Sequence, residues 1–178
     1  MELIQRYNNN MEIDVKALLG NKQFENRIDK TRGIIGSVKL TFRNVKTGEE
    51  EVIHILNVFC HAGKSGIARR LVSEESNYGR VTYCAVGTGT ATPASSDIKL
   101  QTELFRKTIS VGSYSSNVAT FTTYYATGEA NGVLREVGLF GDTATATTDS
   151  GTLYAHTSIN KTKTSADTLT IEWSLIIQ

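Results

Sequence analysis

The alternation of apolar and polar residues predicts that most of this chain forms β-strands. Val38, Leu40 and Phe42 alternate with polar residues, which is the period of a strand with one buried face. A glycine-containing turn at residues 46–49 leads into a second apolar run at residues 52–55, so the simplest interpretation is a hairpin. Another strand is predicted at residues 80–86, and residues 98–110 are expected to form a connection that runs into a strand.

The last third of the chain has the clearest strand pattern. Apolar runs at residues 118–125, 134–140, 152–159 and 169–177 are separated by turn signals rich in glycine and asparagine. The final run predicts a core strand with one apolar face, made of Leu169, Ile171, Trp173, Leu175 and Ile177. Short strands in this succession predict a mainly β fold, either an antiparallel β-sandwich or a Greek-key barrel.

Residues 60–75 carry the one convincing helical pattern. Ile67, Ala68, Leu71 and Val72 recur at helical spacing and are expected to form the buried side of a short helix. Residues 1–32 have no sustained period, and three consecutive asparagines at residues 8–10 interrupt any helix there. The predicted organisation is an N-terminal arm, residues 1–32, followed by a β-domain, residues 33–178.

Composition narrows the classes of partner and compartment. The 178 residues fit one domain, and 19 basic against 18 acidic residues give a net charge of +1. This balance supplies no overall field for nucleic acid or an anionic membrane, so neither is expected as a partner. The N-terminus lacks the apolar region of a secretory signal, and no run approaches the roughly 20 apolar residues of a membrane-spanning helix. We therefore expect a product made in a cytoplasm.

A possible phosphate-binding loop ends at Gly63-Lys64-Ser65, at the start of the predicted helix. The motif needs a glycine five residues before Gly63, and Val58 occupies that position. The segment is therefore interpreted as an ordinary helix N-terminus, and no cofactor is predicted.

Cysteine and histidine provide no convincing zinc site or nucleophile pair. The candidates are Cys60, His61, Cys84 and His54, but the sequence has no C-x-x-C pair, and the adjacent Cys60 and His61 project in different directions. Both cysteines are expected to be buried, reduced thiols. His156 lies opposite the apolar face of its predicted strand and is expected at a surface or interface. No catalytic or metal-binding residue is predicted, and the chain is not expected to be an enzyme.

Charged residues inside an apolar strand are better candidates for structural roles. Arg135 and Glu136 interrupt the run at residues 134–140, where a charge must face solvent or be paired. A structural role is favoured for both, either within the fold or toward a neighbouring subunit. Glu129, Asn131 and Trp173 complete the set of structural or interface candidates.

Several segments resemble small structural proteins of tailed bacteriophages. They are AVGTGTATPASSD at residues 85–97, ELFRK at 103–107 and EANGVLREVGLF at 129–140, followed by GTLYAH at 151–156, INKT at 159–162 and LTIEW at 169–173. The resemblance runs in order from about Asn57 to the end of the sequence. The stretch REVGLF is also similar to one in tail-collar and tail-fibre N-terminal domains.

The resemblance implies a virion protein of the tail, collar, neck or baseplate, made in the bacterial host cytoplasm. Such a protein assembles as a homo-oligomer and with other virion proteins, and its arm often reaches neighbouring subunits. One alternative is a head decoration or head-fibre protein. Another is a carbohydrate-binding β-module that recognises a glycan of the host surface through exposed aromatics such as Tyr114, Tyr124 and Tyr125.

Overall fold

The computed structural model describes residues 33–75 and 78–178, and the predicted arm, residues 1–32, lies outside them. The described part forms ten strands and one helix. In chain order these are β1 (Ile34–Asn44), β2 (Glu50–Leu56), β3 (Val58–Phe59), α1 (His61–Val72), β4 (Val81–Gly87), β5 (Glu103–Thr108), β6 (Val111–Ser115), β7 (Val118–Tyr125), β8 (Gly132–Gly141), β9 (Thr152–Lys163) and β10 (Asp167–Ile177). None of the described helical segments is long and apolar enough to span a membrane.

The strands form two antiparallel sheets that pack face to face. Sheet 1 has the order β2-β1-β10-β7-β6, and sheet 2 has the order β3-β9-β8-β4-β5. The sheets remain separate and are not closed into a barrel. The predicted β-sandwich is therefore confirmed, and the barrel alternative is not adopted.

The core lies between the sheets and follows the predicted alternation. In β1, Val38 pairs with Trp173 and Leu40 pairs with Ile171, and all four side chains are fully buried. They belong to one cluster with residues of sheet 2 such as Leu139. The alternating pattern located this face because only every second side chain of a strand points into the sandwich.

The helix is present, but of its predicted buried side only Ile67 packs against the main core, and Ala68, Leu71 and Val72 are exposed. Leu71 and Val72 are 82% and 87% exposed, whereas Gly63 and Gly66 are buried against Tyr154 of β9. A Cβ at Gly63 would lie 2.7 Å from the Cα of Tyr154. The helix contacts the sheet through its glycines because only a residue without a side chain permits this approach.

The sequence pattern did not predict two short strands, β3 and β6. The two-residue strand β3 is too short for any periodicity, and β6 has the sequence VGSYS, in which no residue is buried. The other predicted strands are confirmed within a few residues at their ends.

Candidate functional site

Sheet 2 is covered on its outer face by a loop, residues 88–102, here called the covering loop. Leu100 of this loop belongs to a second apolar cluster, separate from the main core, whose other buried residues lie beneath the loop: Cys60, Ala85, Phe140 and Leu153. Because this sheet is buried on both faces, polar side chains that point outward from its strands are enclosed as well.

Glu136 anchors the covering loop to β8. Its Oε1 accepts hydrogen bonds from the main-chain N–H groups of Gly89 (3.0 Å) and Thr102 (2.8 Å), and its Oε2 accepts one from Gln101 (2.9 Å). The side chain is buried. The carboxylate therefore binds both ends of the loop with charge-assisted hydrogen bonds.

Glu136→Gln is expected to lower the free energy of unfolding by about 1–3 kcal/mol, because an amide nitrogen would face one of these N–H donors. Urea denaturation measures the loss, and hydrogen exchange should quicken at the amides of Gly89, Gln101 and Thr102. The matched control is Glu172→Gln, which alters a partly exposed carboxylate paired with Lys39. Equal effects of the two substitutions would contradict the anchoring role.

Hydrogen bonds within the covering loop also stabilise its conformation. Gln101 Oε1 accepts from the N–H groups of Thr90 (2.7 Å) and Ala91 (2.8 Å), and Asp97 Oδ2 accepts from Ala94 N–H (2.8 Å). A cavity of about 410 Å³ lies between the loop, Glu136 and His156. The polar side chains in its wall mainly accept hydrogen bonds from main-chain N–H groups of the loop.

His156 is buried, and its predicted place at a surface is wrong. Its Nε2 lies 3.2 Å from Ala94 O and 3.2 Å from Asp97 Oδ2. The strand pattern placed His156 opposite Leu153 and Ala155; Ala155 does lie in the main core, but Leu153 lies in the cluster beneath the covering loop. It missed the burial because the covering loop, distant in sequence, encloses that side.

The two cysteines are buried free thiols, as predicted. Burial, together with the negative charge of Asp97, raises the pKa of Cys60 to about 12. Burial also raises the pKa of Cys84 to about 11, although Trp173 Nε1 donates a hydrogen bond to its sulfur at 3.4 Å. Both thiols are thereby kept protonated at neutral pH, and a protonated thiol is a poor nucleophile.

Glu129 and Asn131 lie together in the turn between β7 and β8. Glu129 pairs with Lys107 (2.5 Å) and accepts a hydrogen bond from Ala126 N–H (2.8 Å), and these two bonds, the one from Lys107 above all, lower the pKa of its carboxyl group. Asn131 Oδ1 accepts from the Nζ of Lys163 (2.9 Å). The turn is therefore held by charged side chains from two other strands.

The remaining two candidates lie elsewhere in the sandwich. Arg135 is half-buried in β8, and Trp173 is fully buried in the main core. The structure thus brings Glu129 and Asn131 into one turn, while Glu136 lies beneath the covering loop. Whether any of the five contacts a neighbouring subunit stays a prediction.

A buried ion pair that sequence reasoning missed joins Glu103 and Arg106. The guanidinium Nε and the second terminal nitrogen donate to the two carboxylate oxygens at 2.5 and 2.6 Å, and the other terminal nitrogen donates to Ser150 O at 2.9 Å. Residues three apart in a regular strand face opposite ways. Here the β4–β5 register shifts at Leu104, which turns Glu103 and Arg106 to the same face.

The tyrosines of the glycan-binding alternative do not form a platform. Tyr125 is fully buried, and its hydroxyl donates to Cys84 O at 2.8 Å. Tyr114 pairs with Ala119, an odd-numbered position of β7, whereas Tyr124 lies on the opposite face of that strand. The two exposed rings therefore point to different sides of sheet 1.

Within residues 33–75 and 78–178, no group of three or more His, Cys, Asp or Glu side chains is placed to hold a metal ion. No protein-family model, curated protein or solved structure matches the chain.

Proposed function

We propose that this chain is a structural subunit of a tailed-bacteriophage particle, built into the tail, collar, neck or baseplate. It acts through protein–protein contacts and not by turnover. The proposal starts from the resemblance of residues 85–97, 103–107 and 129–140 to small phage structural proteins, and it draws support from where these segments lie in the fold.

The observation that carries the proposal is that the three segments form one interlocked unit. They contribute to the neighbouring strands β4, β5 and β8 of sheet 2. Glu136 of the third segment binds Gly89 of the first, and Glu129 of the third binds Lys107 of the second. Charged side chains of the resembling segments thus hydrogen-bond to the main chain and to one another. A domain stabilised in this way suits a subunit that must keep its conformation while it contacts its neighbours in a particle.

The alternatives differ in their support. A head decoration or head-fibre protein would also need a rigid domain. Only its position on the particle distinguishes it from a tail, collar, neck or baseplate protein. The carbohydrate-binding module loses its proposed platform, because Tyr125 is in the core and Tyr114 and Tyr124 face different sides.

The test is to locate the chain in purified particles of the phage that encodes it. Mass spectrometry should detect the full chain in multiple copies per particle, and gold-labelled antibody should mark the tail, neck or baseplate in electron micrographs. Label over the head would replace the leading assignment with the decoration protein. Absence from washed particles would overturn both.

A further inference from the structure

The two sheets have four edge strands, and three of them carry features that discourage pairing with another chain. β2 contains Glu50, Glu51 and His54, β3 is only two residues long, and β5 contains charged residues including Lys107. Charges and short length are the usual means by which proteins protect a sheet edge.

The fourth edge strand, β6, has no such protection. Its sequence VGSYS contains no charge and no proline, and all five of its residues are exposed. Val111 is 61% and Tyr114 85% exposed, so two large apolar side chains stand at this edge. Among the described strands only β7 pairs with β6, which leaves its other side as a template for strand addition.

A cavity of about 730 Å³ opens beside the same edge. Gly112 of β6 and Phe121 of β7, which pair directly, are both in its wall. A Cβ at Gly112 would meet only the Phe121 ring, at the ordinary contact distance of 3.8 Å. The space above Gly112 is therefore open on the face that Gly112 shares with Tyr114, since residues two apart in a strand face the same way.

This edge is complementary to itself. In an antiparallel pair of two β6 strands, the register that uses all five residues places Ser113 opposite Ser113. The same register places Tyr114 opposite Gly112 of the other copy, on the same face. Each exposed ring would cover an exposed glycine and border the adjacent cavity, an arrangement that stabilises glycine at sheet edges.

We propose that two copies of this chain pair antiparallel through β6. The pairing joins sheet 1 of one copy to sheet 1 of the other in one continuous sheet, with a twofold axis at Ser113. Such an interface is closed, because each copy presents the same surface to the other. The inference rests on the proposed function only in that it takes the chain to be an assembling protein.

The decisive experiment is Ser113→Cys in the full chain, followed by mild oxidation and electrophoresis without reductant. Directly opposed residues of an antiparallel pair have Cα atoms about 4.5–5.5 Å apart, within the range of a disulfide. We expect rapid formation of a covalent dimer that reductant reverses. The matched control is Ser115→Cys, an exposed residue of the same strand, which would lie opposite Val111 and should cross-link far more slowly. Cys60 and Cys84 are buried and do not compete.

Sedimentation velocity gives a second readout without a new thiol. Tyr114→Ala should weaken the dimer about tenfold or more, as expected for an aromatic anchor. Ser113→Lys, which opposes two like charges on the axis, should weaken it at least as much. Unchanged circular dichroism spectra and a cooperative unfolding transition would show that both variants fold, since loss of the dimer can by itself lower the melting temperature.

Three outcomes would overturn the inference: a wild-type monomer at all concentrations, equal cross-linking by the two cysteine variants, or an oligomer insensitive to Tyr114→Ala and Ser113→Lys. Locating the chain in purified particles distinguishes failure of the β6 pairing from failure of the proposed virion role. A chain found in particles without β6 pairing overturns the pairing alone. A β6 dimer absent from particles overturns the virion role alone.

Discussion

Trp173→Ala should lower the free energy of unfolding by about 3–5 kcal/mol, the usual cost of removing a buried tryptophan side chain. The ring is fully buried in β10 opposite Val38, and its Nε1 donates to the sulfur of Cys84 across the sandwich at 3.4 Å. Truncation would leave a cavity where sheet 1 meets sheet 2. Urea denaturation of the purified chain measures the loss, with the midpoint falling at a nearly unchanged slope.

Two variants separate burial from the hydrogen bond. Trp173→Phe keeps an aromatic ring and loses the N–H donor, so it should cost less than Trp173→Ala. Tyr124→Ala removes a large ring that is partly exposed on the outer side of the same sheet and should cost much less. A loss below about 1 kcal/mol for Trp173→Ala would contradict the packed core described above.

Arg106→Met should lower the free energy of unfolding by about 3–5 kcal/mol, since it leaves the carboxylate of Glu103 buried without its cation. Both charged side chains are almost completely enclosed. The arginine also donates to Thr145 O and Ser150 O in the connection between β8 and β9, and those acceptors would lose a partner. Chemical denaturation measures the change, and faster hydrogen exchange should follow in residues 142–150.

The matched control is Lys39→Met, which breaks an ion pair with Glu172 on the partly exposed face of sheet 1. Exposed pairs contribute about 0–1 kcal/mol, so this control should be nearly neutral. Adding Glu103→Gln to Arg106→Met should recover part of the loss, because it removes the unpaired charge. A double variant as unstable as the sum of both single variants would argue against a coupled pair.

Local pattern was sufficient for every strand of the domain except β3 and β6, and for the faces of β1 and β10 that enter the core. Val38, Leu40 and Trp173 could be assigned because strand geometry sends alternate side chains to opposite faces. The charges of Arg135 and Glu136 inside an apolar run indicated that each must face solvent or be paired, since such groups cannot be buried alone.

Pattern was insufficient where a contact joins distant segments. The partners of Glu136 come from a loop 34 to 47 residues away in sequence, and no local signal connects them. For the same reason the burial of His156 was missed, because the covering loop encloses the outer side of sheet 2.

The neighbourhoods of individual side chains depended on details of packing and register. Gly63 and Gly66, and not the apolar Leu71 and Val72, became the contact side of the helix, because approach to Tyr154 leaves no room for a side chain. A register shift at Leu104 created the pair of Glu103 and Arg106. Local periodicity determines the direction in which a side chain points, because alternate residues of a strand face opposite sides. Long-range packing determines which groups that side chain contacts, and the roles of Glu136 and Arg106 follow from those contacts.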